Sequence, residues 1–317
     1  MVSIGYFVVP CYNEEECLKI SVYRLQKKLE ELIQEHLISE RSKVLFVDDG
    51  STDRTWQIIC ECAAKDTHVV GIKMAHNVGH QNALLAGLDY ACPNADFIIT
   101  IDADLQQDID TFAKFINEYE NGSDIVFGIR NSRDTDSFLK KITALSFYKL
   151  MRLMGTGVIE NHADYRLLSK KACSALLEYQ ESNLFLRGLV TRVGFKQSMV
   201  HFDVVERVAG KSKYTNMKMI KLAIDGITSM SIVPLHMIAI MGITVSLIGF
   251  FMVIFFVASW VLGNTVQGWT SILCSLWILS GLILFGVGVC GEYIGKNYIE
   301  SKRRPRYHIE QIIGEDR

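Results

Sequence analysis

The aspartates Asp102 and Asp104 follow a short apolar run at 97–101 and offer the clearest chemical signal in the sequence. β-branched residues between polar neighbours are typical of a buried strand. Because residues i and i+2 of a strand point the same way, both carboxylates would face one spot beyond it. Two close like charges are costly unless a cation lies between them, and Mg²⁺ commonly binds carboxylates together with substrate phosphates. The pattern predicts a metal–diphosphate site, with a solvated turn as the alternative.

Polar clusters also follow two other predicted strands, at 10–14 and at 48–51. Strand and helix patterns alternate over residues 1–130, which predicts an α/β fold with a mostly parallel sheet and helices on both faces. The predicted strands cover 4–9, 44–47, 69–73, 97–101 and 124–129, and the predicted helices cover 14–35, 53–64 (with Asp53 as N-cap), 81–91 and 109–119. Ligands of such sheets bind beyond the carboxyl ends of the strands, so the three polar clusters predict a binding site at that edge.

Composition excludes some classes of protein. The chain has 317 residues, enough for one large domain and an appendage, and its net charge of −2 gives no overall field that would attract nucleic acid. Its eight cysteines form no Cys-x-x-Cys pair. We therefore expect reduced thiols, no zinc site and no nucleic-acid partner.

A long apolar segment occupies the C-terminal part of the chain. Residues 231–291 contain no Asp, Glu, Lys or Arg, and a turn-like cluster divides them into 235–262 and 269–290. Each part exceeds the roughly 20 residues needed to cross a bilayer. Basic residues lie beyond both outer ends but not in the connecting loop, so the positive-inside rule predicts that both termini are cytoplasmic.

This pattern predicts a multi-pass protein of the cytoplasmic membrane. We expect a two-helix transmembrane hairpin at 231–294, followed by a cytosolic basic tail at 295–317. Glycines near the end of the second span would permit close helix contact, either within the hairpin or in a homo-oligomer. These glycines are Gly281, Gly286, Gly288 and Gly291.

A region rich in basic residues separates the predicted sheet from the apolar segment. The stretch 139–154 has an apolar face with basic residues on the remainder, which fits a helix on an anionic membrane surface or a packed globular helix equally well. The stretch 207–221 contains five basic residues and no acidic one. We predict a cytosolic domain over 1–214, with 131–214 on the acceptor side, and an interfacial helix over 215–230.

Several ordered motifs resemble those of a known family. VVPCYNEEE, VDDGSTDRT, NVGHQNALLAG and DADLQQD resemble the family 2 glycosyltransferases with a GT-A fold. NHADYRLLSKKA, ERVAGKSKYT and GEYIGKNYIESKRRPRY, with the two spans, resemble the polyprenyl-phosphate glycosyltransferases, which include bactoprenol glucosyltransferases and dolichol-phosphate mannose synthases. Processive synthases of the superfamily carry a QxxRW signature and more spans, and the sequence has neither, so we expect a single sugar transfer.

The resemblance implies roles for residues on the donor side. Asp102 and Asp104 would hold Mg²⁺ or Mn²⁺ against the diphosphate, and Gln106 would complete the metal shell or lie solvated in the loop. Asp49 would assist nucleotide-sugar binding or only cap its turn. His80-Gln81, after Gly79, departs from the family pattern, because many relatives have a basic residue there. The remaining residues implied to line the base and ribose are Pro10, Tyr12, Glu14 and Asp48.

The resemblance also implies an acceptor side. Asp164 occupies the position of a proposed catalytic base, but a positioning or electrostatic role fits equally, because a phosphate acceptor is already largely ionised at neutral pH. Arg166 could simply pair with it. Arg130 and Asp104 would act with Asp164 in catalysis. The residues expected to bind the lipid phosphate are Arg130, Arg133, Arg207, Lys211 and Lys213.

Together these features predict an inverting, metal-dependent enzyme. It would transfer one sugar from a nucleotide-sugar, UDP-glucose or UDP-N-acetylglucosamine, to undecaprenyl phosphate. The alternatives are a membrane polysaccharide synthase and a non-catalytic scaffold that binds nucleotide-sugars.

Overall fold

Short runs of buried apolar residues form the strands, as the sequence predicts. The computed structural model describes residues 2–131, 162–181, 185–204, 227–228, 231–262 and 268–315. The strands of these ranges are β1 (Gly5–Cys11), β2 (Lys43–Asp48), β3 (Val69–Met74), β4 (Phe97–Thr100), β5 (Ile125–Arg130), β6 (His162–Ser169), β7 (Gln197–Phe202) and β8 (Ile309–Ile313). They form one sheet in the order β7-β5-β6-β4-β1-β2-β3-β8.

The middle of the sheet is parallel. β1 pairs in parallel with both β2 and β4, and β2 pairs in parallel with β3. On the other side, β6 runs antiparallel between β4 and β5, while β5 and β7 are parallel. The predicted α/β fold with a mostly parallel sheet is therefore confirmed.

Helices cover both faces of the sheet, as expected. The helices are α1 (Glu15–Gln34), α2 (Thr55–Ala63), α3 (His80–Asn94), α4 (Phe112–Glu120), α5 (Lys170–Leu177), α6 (Leu186–Arg192), α7 (Val233–Val261) and α8 (Trp269–Ser301). One apolar core joins the sheet to α1, α2 and α4, and the other joins it to α3, α5 and α6. Gly87 lets α3 lie directly on the sheet, because a Cβ there would be 2.4 Å from Val8 Cγ1.

Two local predictions need correction. The N-cap of α2 is Arg54, not Asp53, although Asp53 Oδ1 accepts a hydrogen bond from the Thr55 amide at 2.9 Å. The helix predicted at 109–119 divides into a 3₁₀ turn, Ile109–Thr111, and α4. Asp108 explains the division, since its side chain accepts a hydrogen bond from the Asp110 amide and starts the 3₁₀ turn.

The C-terminal segment contains a strand that the sequence analysis missed. β8 pairs antiparallel with β3 at the edge of the sheet, and Lys73 Nζ lies 2.9 Å from Glu310 Oε1 across the pair. Only seven residues separate β8 from the end of α8. The tail predicted at 295–317 thus continues α8 and then returns the chain to the sheet.

Two helices, α7 and α8, are long and apolar enough to cross a membrane, in the segments Val233–Met252 and Ile278–Ser301. Their large apolar side chains are exposed, for example Phe251 and Leu284, whereas a core helix of a soluble protein would bury them. Gly286 faces α7, because a Cβ there would lie 3.3 Å from Ile238 Cγ2. The contact at Gly286 therefore lies within the hairpin.

Candidate active site

Three polar strand ends lie side by side at one edge of the sheet. β1 is hydrogen-bonded to β2 on one side and to β4 on the other. The segments that follow these strands therefore meet at their carboxyl ends, where parallel sheets bind ligands. The clusters predicted at 10–14 and 48–51 and the aspartate pair Asp102 and Asp104 thus share one edge.

The loops after β1 and β2 are tied together by hydrogen bonds. Asn13 adopts a left-handed conformation with φ 53°, and its Oδ1 accepts a hydrogen bond from the Thr52 amide at 2.8 Å. The Glu14 amide donates to Thr55 Oγ1 at 2.8 Å. These bonds fix the edge while 40% of Tyr12 remains exposed beyond β1, and Pro10 is buried within that strand.

The adjacent residues Asp48 and Asp49 are both buried but differ in their partners. Asp49 accepts hydrogen bonds from the amides of Val78 at 2.7 Å and Gly79 at 3.0 Å, so its carboxylate holds the loop before α3. Asp48 Oδ1 accepts from the Ser51 amide at 3.4 Å, whereas Oδ2 has no partner among the described residues. Burial raises the pKa of both groups. An unpartnered buried acceptor fits a ligand that brings an N–H or hydroxyl donor.

The aspartate pair beyond β4 is positioned by its own loop. Gln107 Nε2 donates to Asp102 Oδ2 at 2.6 Å, and the Gln106 amide donates to Asp104 Oδ1 at 3.3 Å. Leu105, which lies between Asp104 and Gln106 in the chain, has φ 46°, and this left-handed conformation turns the loop back on itself. Gln107 was missed by the sequence analysis, which considered only the neighbouring Gln106.

The carboxylates of this loop fit a hard divalent cation whose remaining ligands come from a substrate. The described residues contain no group of three or more His, Cys, Asp or Glu side chains that could hold a metal by themselves. Two carboxylates plus phosphate oxygens are, however, the ligands that Mg²⁺ commonly takes. Asp102 and Asp104 would hold such an ion, and Gln107 fixes the rotation of the Asp102 carboxylate.

A second charged cluster lies next to the aspartate pair, because β6 runs antiparallel to β4. Thr100, the last residue of β4, pairs with Arg166, and its Oγ1 donates to the Asp164 carbonyl at 2.8 Å. His80, the first residue of α3, links the two: its Nε2 lies 3.7 Å from Asp102 Oδ1 and 4.0 Å from Asp164 Oδ2.

Two arginines bind Asp164. Arg166 Nη2 donates to Asp164 Oδ1, and Arg187 donates to Oδ2 from Nε at 3.2 Å and from Nη2 at 2.8 Å. Burial alone would raise the pKa of Asp164, but Arg187 and Arg166 outweigh it and hold that pKa well below the usual range. Burial lowers the pKa of Arg166 despite the partnership. The pairing with Arg166 considered from the sequence is present, while Arg187, 23 residues away, gave no sequence signal.

The other predicted acceptor residues are only partly described. Arg130 ends β5 and is half-buried, and Asp164 is bound by Arg166 and Arg187 rather than by Arg130. Outside the described residues lie Arg133, Arg207, Lys211 and Lys213, together with the stretch 139–154 and all of 215–230 except 227–228.

Known proteins resemble the chain over most of its length. It is 47% identical over 303 residues to "Uncharacterized glycosyltransferase YkoT" of Bacillus subtilis (strain 168), covering 96% of this chain and 90% of that protein. It is 39% identical over 305 residues to "Bactoprenol glucosyl transferase" of Shigella phage SfV, covering 96% and 97% of the two chains. A "Prophage bactoprenol glucosyl transferase homolog" of Escherichia coli (strain K12) is 38% identical over 307 residues, covering 96% and 98%.

The fold can also be compared with solved structures. The crystal structure of glucosyl-3-phosphoglycerate synthase from Mycobacterium tuberculosis with phosphoglyceric acid has a TM-score of 0.48 and 15% identity, covering 72% of this chain and 79% of that one.

Residues 6–177, more than half of the chain, match the family described as "Glycosyl transferase family 2". With the relatives above, this match confirms the resemblance seen in the motifs: the chain belongs to glycosyl transferase family 2 and is a glycosyltransferase.

Proposed function

We propose that this enzyme transfers one sugar from a nucleotide-sugar to a polyprenyl phosphate at the cytoplasmic face of the membrane. UDP-glucose and UDP-N-acetylglucosamine are the proposed donors, and undecaprenyl phosphate is the proposed acceptor. The relatives named bactoprenol glucosyl transferase, which match nearly the whole chain, support a lipid acceptor.

The donor half of the proposal uses the edge formed by β1, β2 and β4. The unpartnered Oδ2 of Asp48 supports recognition of a nucleoside donor group, and the exposed Tyr12 offers an aromatic face nearby. Asp102 and Asp104 would hold Mg²⁺ or Mn²⁺, which stabilises negative charge on the diphosphate when it is bound. Gln106 would add a further ligand, as proposed from the sequence.

The transfer itself needs little proton chemistry. A phosphate oxygen of the acceptor attacks the anomeric carbon as the bond from that carbon to the diphosphate oxygen breaks, and the electron pair of that bond leaves with the nucleoside diphosphate. Attack from the face opposite the leaving group inverts the configuration. Because a phosphate monoester has a second pKa of ~6, the attacking oxygen is already largely ionised at neutral pH. The enzyme must therefore bring two anions together, which requires positive charge on both sides.

Positive charge on the acceptor side would come from Arg130, Arg133, Arg207, Lys211 and Lys213. The helices α7 and α8 support a position at the bilayer, where a polyprenyl phosphate presents its headgroup. Basic residues flank both helices outside the spans, which supports cytoplasmic termini and a catalytic domain on the same side.

One observation carries the proposal: Asp102 and Asp104 lie at the sheet edge beside an arginine-bound cluster, in a chain with two exposed apolar helices. The test is a screen of radiolabelled sugar nucleotides with the purified full chain and undecaprenyl phosphate. We expect label in a butanol-extractable lipid with one donor, only when both the lipid and a divalent cation are present. A long polymer would favour a polysaccharide synthase, and no transfer from any donor would favour a non-catalytic scaffold.

A further inference from the structure

The contacts of Asp164 are difficult to reconcile with a role as proton acceptor. Arg166 binds Oδ1 and Arg187 binds Oδ2 with two donors, so both carboxylate oxygens already accept hydrogen bonds from guanidinium groups. The same two arginines keep the pKa of Asp164 low although the group is buried. A carboxylate with these partners is a stable anchor for cations rather than a base in need of a proton.

Asp164 binds two guanidinium groups, and these differ in their exposure. The Arg166 side chain is only 2% exposed, whereas 34% of the Arg187 side chain is exposed. Arg187 is therefore the guanidinium group of this cluster that reaches the surface of the site.

The position of the Arg187 guanidinium group matches the place where the reactants must meet. Asp164 Oδ2, which Arg187 binds, lies 4.0 Å from His80 Nε2, and the same nitrogen lies 3.7 Å from Asp102 Oδ1. The carboxylate that binds Arg187 is thus one side chain, His80, away from Asp102. A diphosphate held at Asp102 would lie near this cluster.

Both the backbone and the side chain of Arg187 are fixed before any substrate binds. Its helix, α6, begins at Leu186, whose amide donates to Gln81 Oε1 in the first turn of α3 at 3.0 Å. Leu186 and Leu189 are buried in the core beneath it. A guanidinium fixed through both backbone and side chain loses little freedom on meeting an anion, which favours it as a binding group.

We propose that Arg187 contacts a phosphate oxyanion of the reactants during transfer, and that Asp164 is the positioning residue that holds Arg187 in place. The proposal rests on the proposed function, because it needs phosphate groups at the Asp102 edge. The oxyanion comes either from the leaving diphosphate or from the acceptor monophosphate, and the chemistry of recognition is the same. Bidentate arginine is well suited to phosphate oxygens.

The test compares Arg187→Ala, Arg187→Lys, Asp164→Asn and the double variant Arg187→Ala/Asp164→Asn in the full chain. Arg192→Ala is the matched control, since Arg192 ends the same helix five residues later. Transfer to undecaprenyl phosphate and binding of UDP are measured for each, with thermal unfolding to verify the fold. We expect Arg187→Ala to lower transfer by about 10- to 100-fold, the equivalent of a charge-assisted hydrogen bond, and Arg192→Ala to behave as wild type.

The double variant gives the decisive readout. If Asp164 acts through Arg187, the double variant loses no more activity than Arg187→Ala alone, and added guanidinium ion restores part of the activity of Arg187→Ala. Weaker UDP binding assigns the contact to the diphosphate, and a raised KM for lipid with unchanged UDP binding assigns it to the acceptor. Multiplying losses in the double variant, or wild-type transfer by Arg187→Ala, would overturn the proposal. Absence of any transfer by the wild-type chain would instead refute the proposed function itself.

Discussion

Two neighbouring regions of the site are built in different ways. The donor edge consists of loops that directly follow β1, β2 and β4. It is held by hydrogen bonds from backbone amides, such as the Thr52 amide to Asn13 Oδ1 and the Val78 amide to Asp49 Oδ1. The cluster around Asp164 joins β6 to Arg187 of α6 through ion pairs, and His80 of α3 lies 4.0 Å from the same carboxylate. The first region is shaped by main chain and the second by charge.

This difference predicts separate consequences for the two regions. Changes at the donor edge should remove a ligand from the metal or the nucleotide and so reduce all turnover. Substitution of a cationic side chain near Asp164 or on the acceptor side should weaken the binding of only one of the two phosphate groups, because each cation contacts only the phosphate nearest to it.

Asp104→Asn should have the largest effect. Replacing a charged ligand by a neutral amide weakens metal binding where negative charge develops, and we expect transfer to fall by at least about 100-fold. Membrane insertion should be unchanged, because the residue lies at the sheet edge far along the chain from α7 and α8. Transfer assays on membranes with and without chelator provide the measurement. Retained activity after chelation would contradict the metal-dependent scheme.

Arg207→Ala should separate the two substrates. Arg207 lies outside the described residues, in the basic stretch that precedes the first span. Loss of one charge-assisted contact to the lipid phosphate should raise the KM for undecaprenyl phosphate by about 10-fold or more. The KM for the nucleotide-sugar should change little, and Arg41→Ala, at an exposed position before β2, serves as control. Equal changes in both KM values would rule out a lipid-phosphate clamp.

Gln107→Leu should weaken the metal site without removing a ligand. The variant leaves Asp102 Oδ2 without its donor at 2.6 Å, so the carboxylate is free to rotate. Loss of such an orienting partner typically costs about 10-fold in metal affinity, and the Mn²⁺ concentration for half-maximal activity should rise accordingly. Gln26→Leu is the matched control, because Gln26, which lies on α1, donates a similar hydrogen bond to Asp66 Oδ2 at 2.5 Å. Identical metal dependence in both variants would show that Gln107 has no orienting role.

The smallest effect is expected on the pH dependence of activity when Asp164 is replaced. Because Arg187 and Arg166 keep the pKa of Asp164 low, that carboxylate stays ionised at mildly acidic pH. The ion pairs therefore stabilise the fold above the unfolded-state pKa of ~3.9, and this stability is lost as pH falls through the lower folded-state value. Activity should instead fall as the pH drops through ~6, where the acceptor phosphate gains a proton.

Asp164→Asn should therefore lower the rate without moving that acid limb. Profiles of kcat/KM from about pH 5 to about pH 8 for both proteins provide the comparison. An acid limb that disappears in Asp164→Asn would identify Asp164 as the titrating base.

The contrast between the regions also explains what could be predicted from the sequence. The donor edge was predictable because each strand is a short apolar run and its polar residues follow directly, as with Asp102 and Asp104. Arg187 was not, because antiparallel insertion of β6 and packing of α6 bring it to Asp164 without any regular spacing. Gln107 was missed since only the turn at Leu105 decides which glutamine faces Asp102. β8 was missed because a strand of five residues after a helix gives little periodicity.

Binding of UDP to the purified chain by calorimetry tests the central claim most directly. If Asp102 and Asp104 hold a divalent cation against the diphosphate, UDP should bind the wild type with Mg²⁺ or Mn²⁺, and binding should be lost in EDTA and in Asp104→Asn. Equal affinity for UDP in all of these conditions would contradict the account.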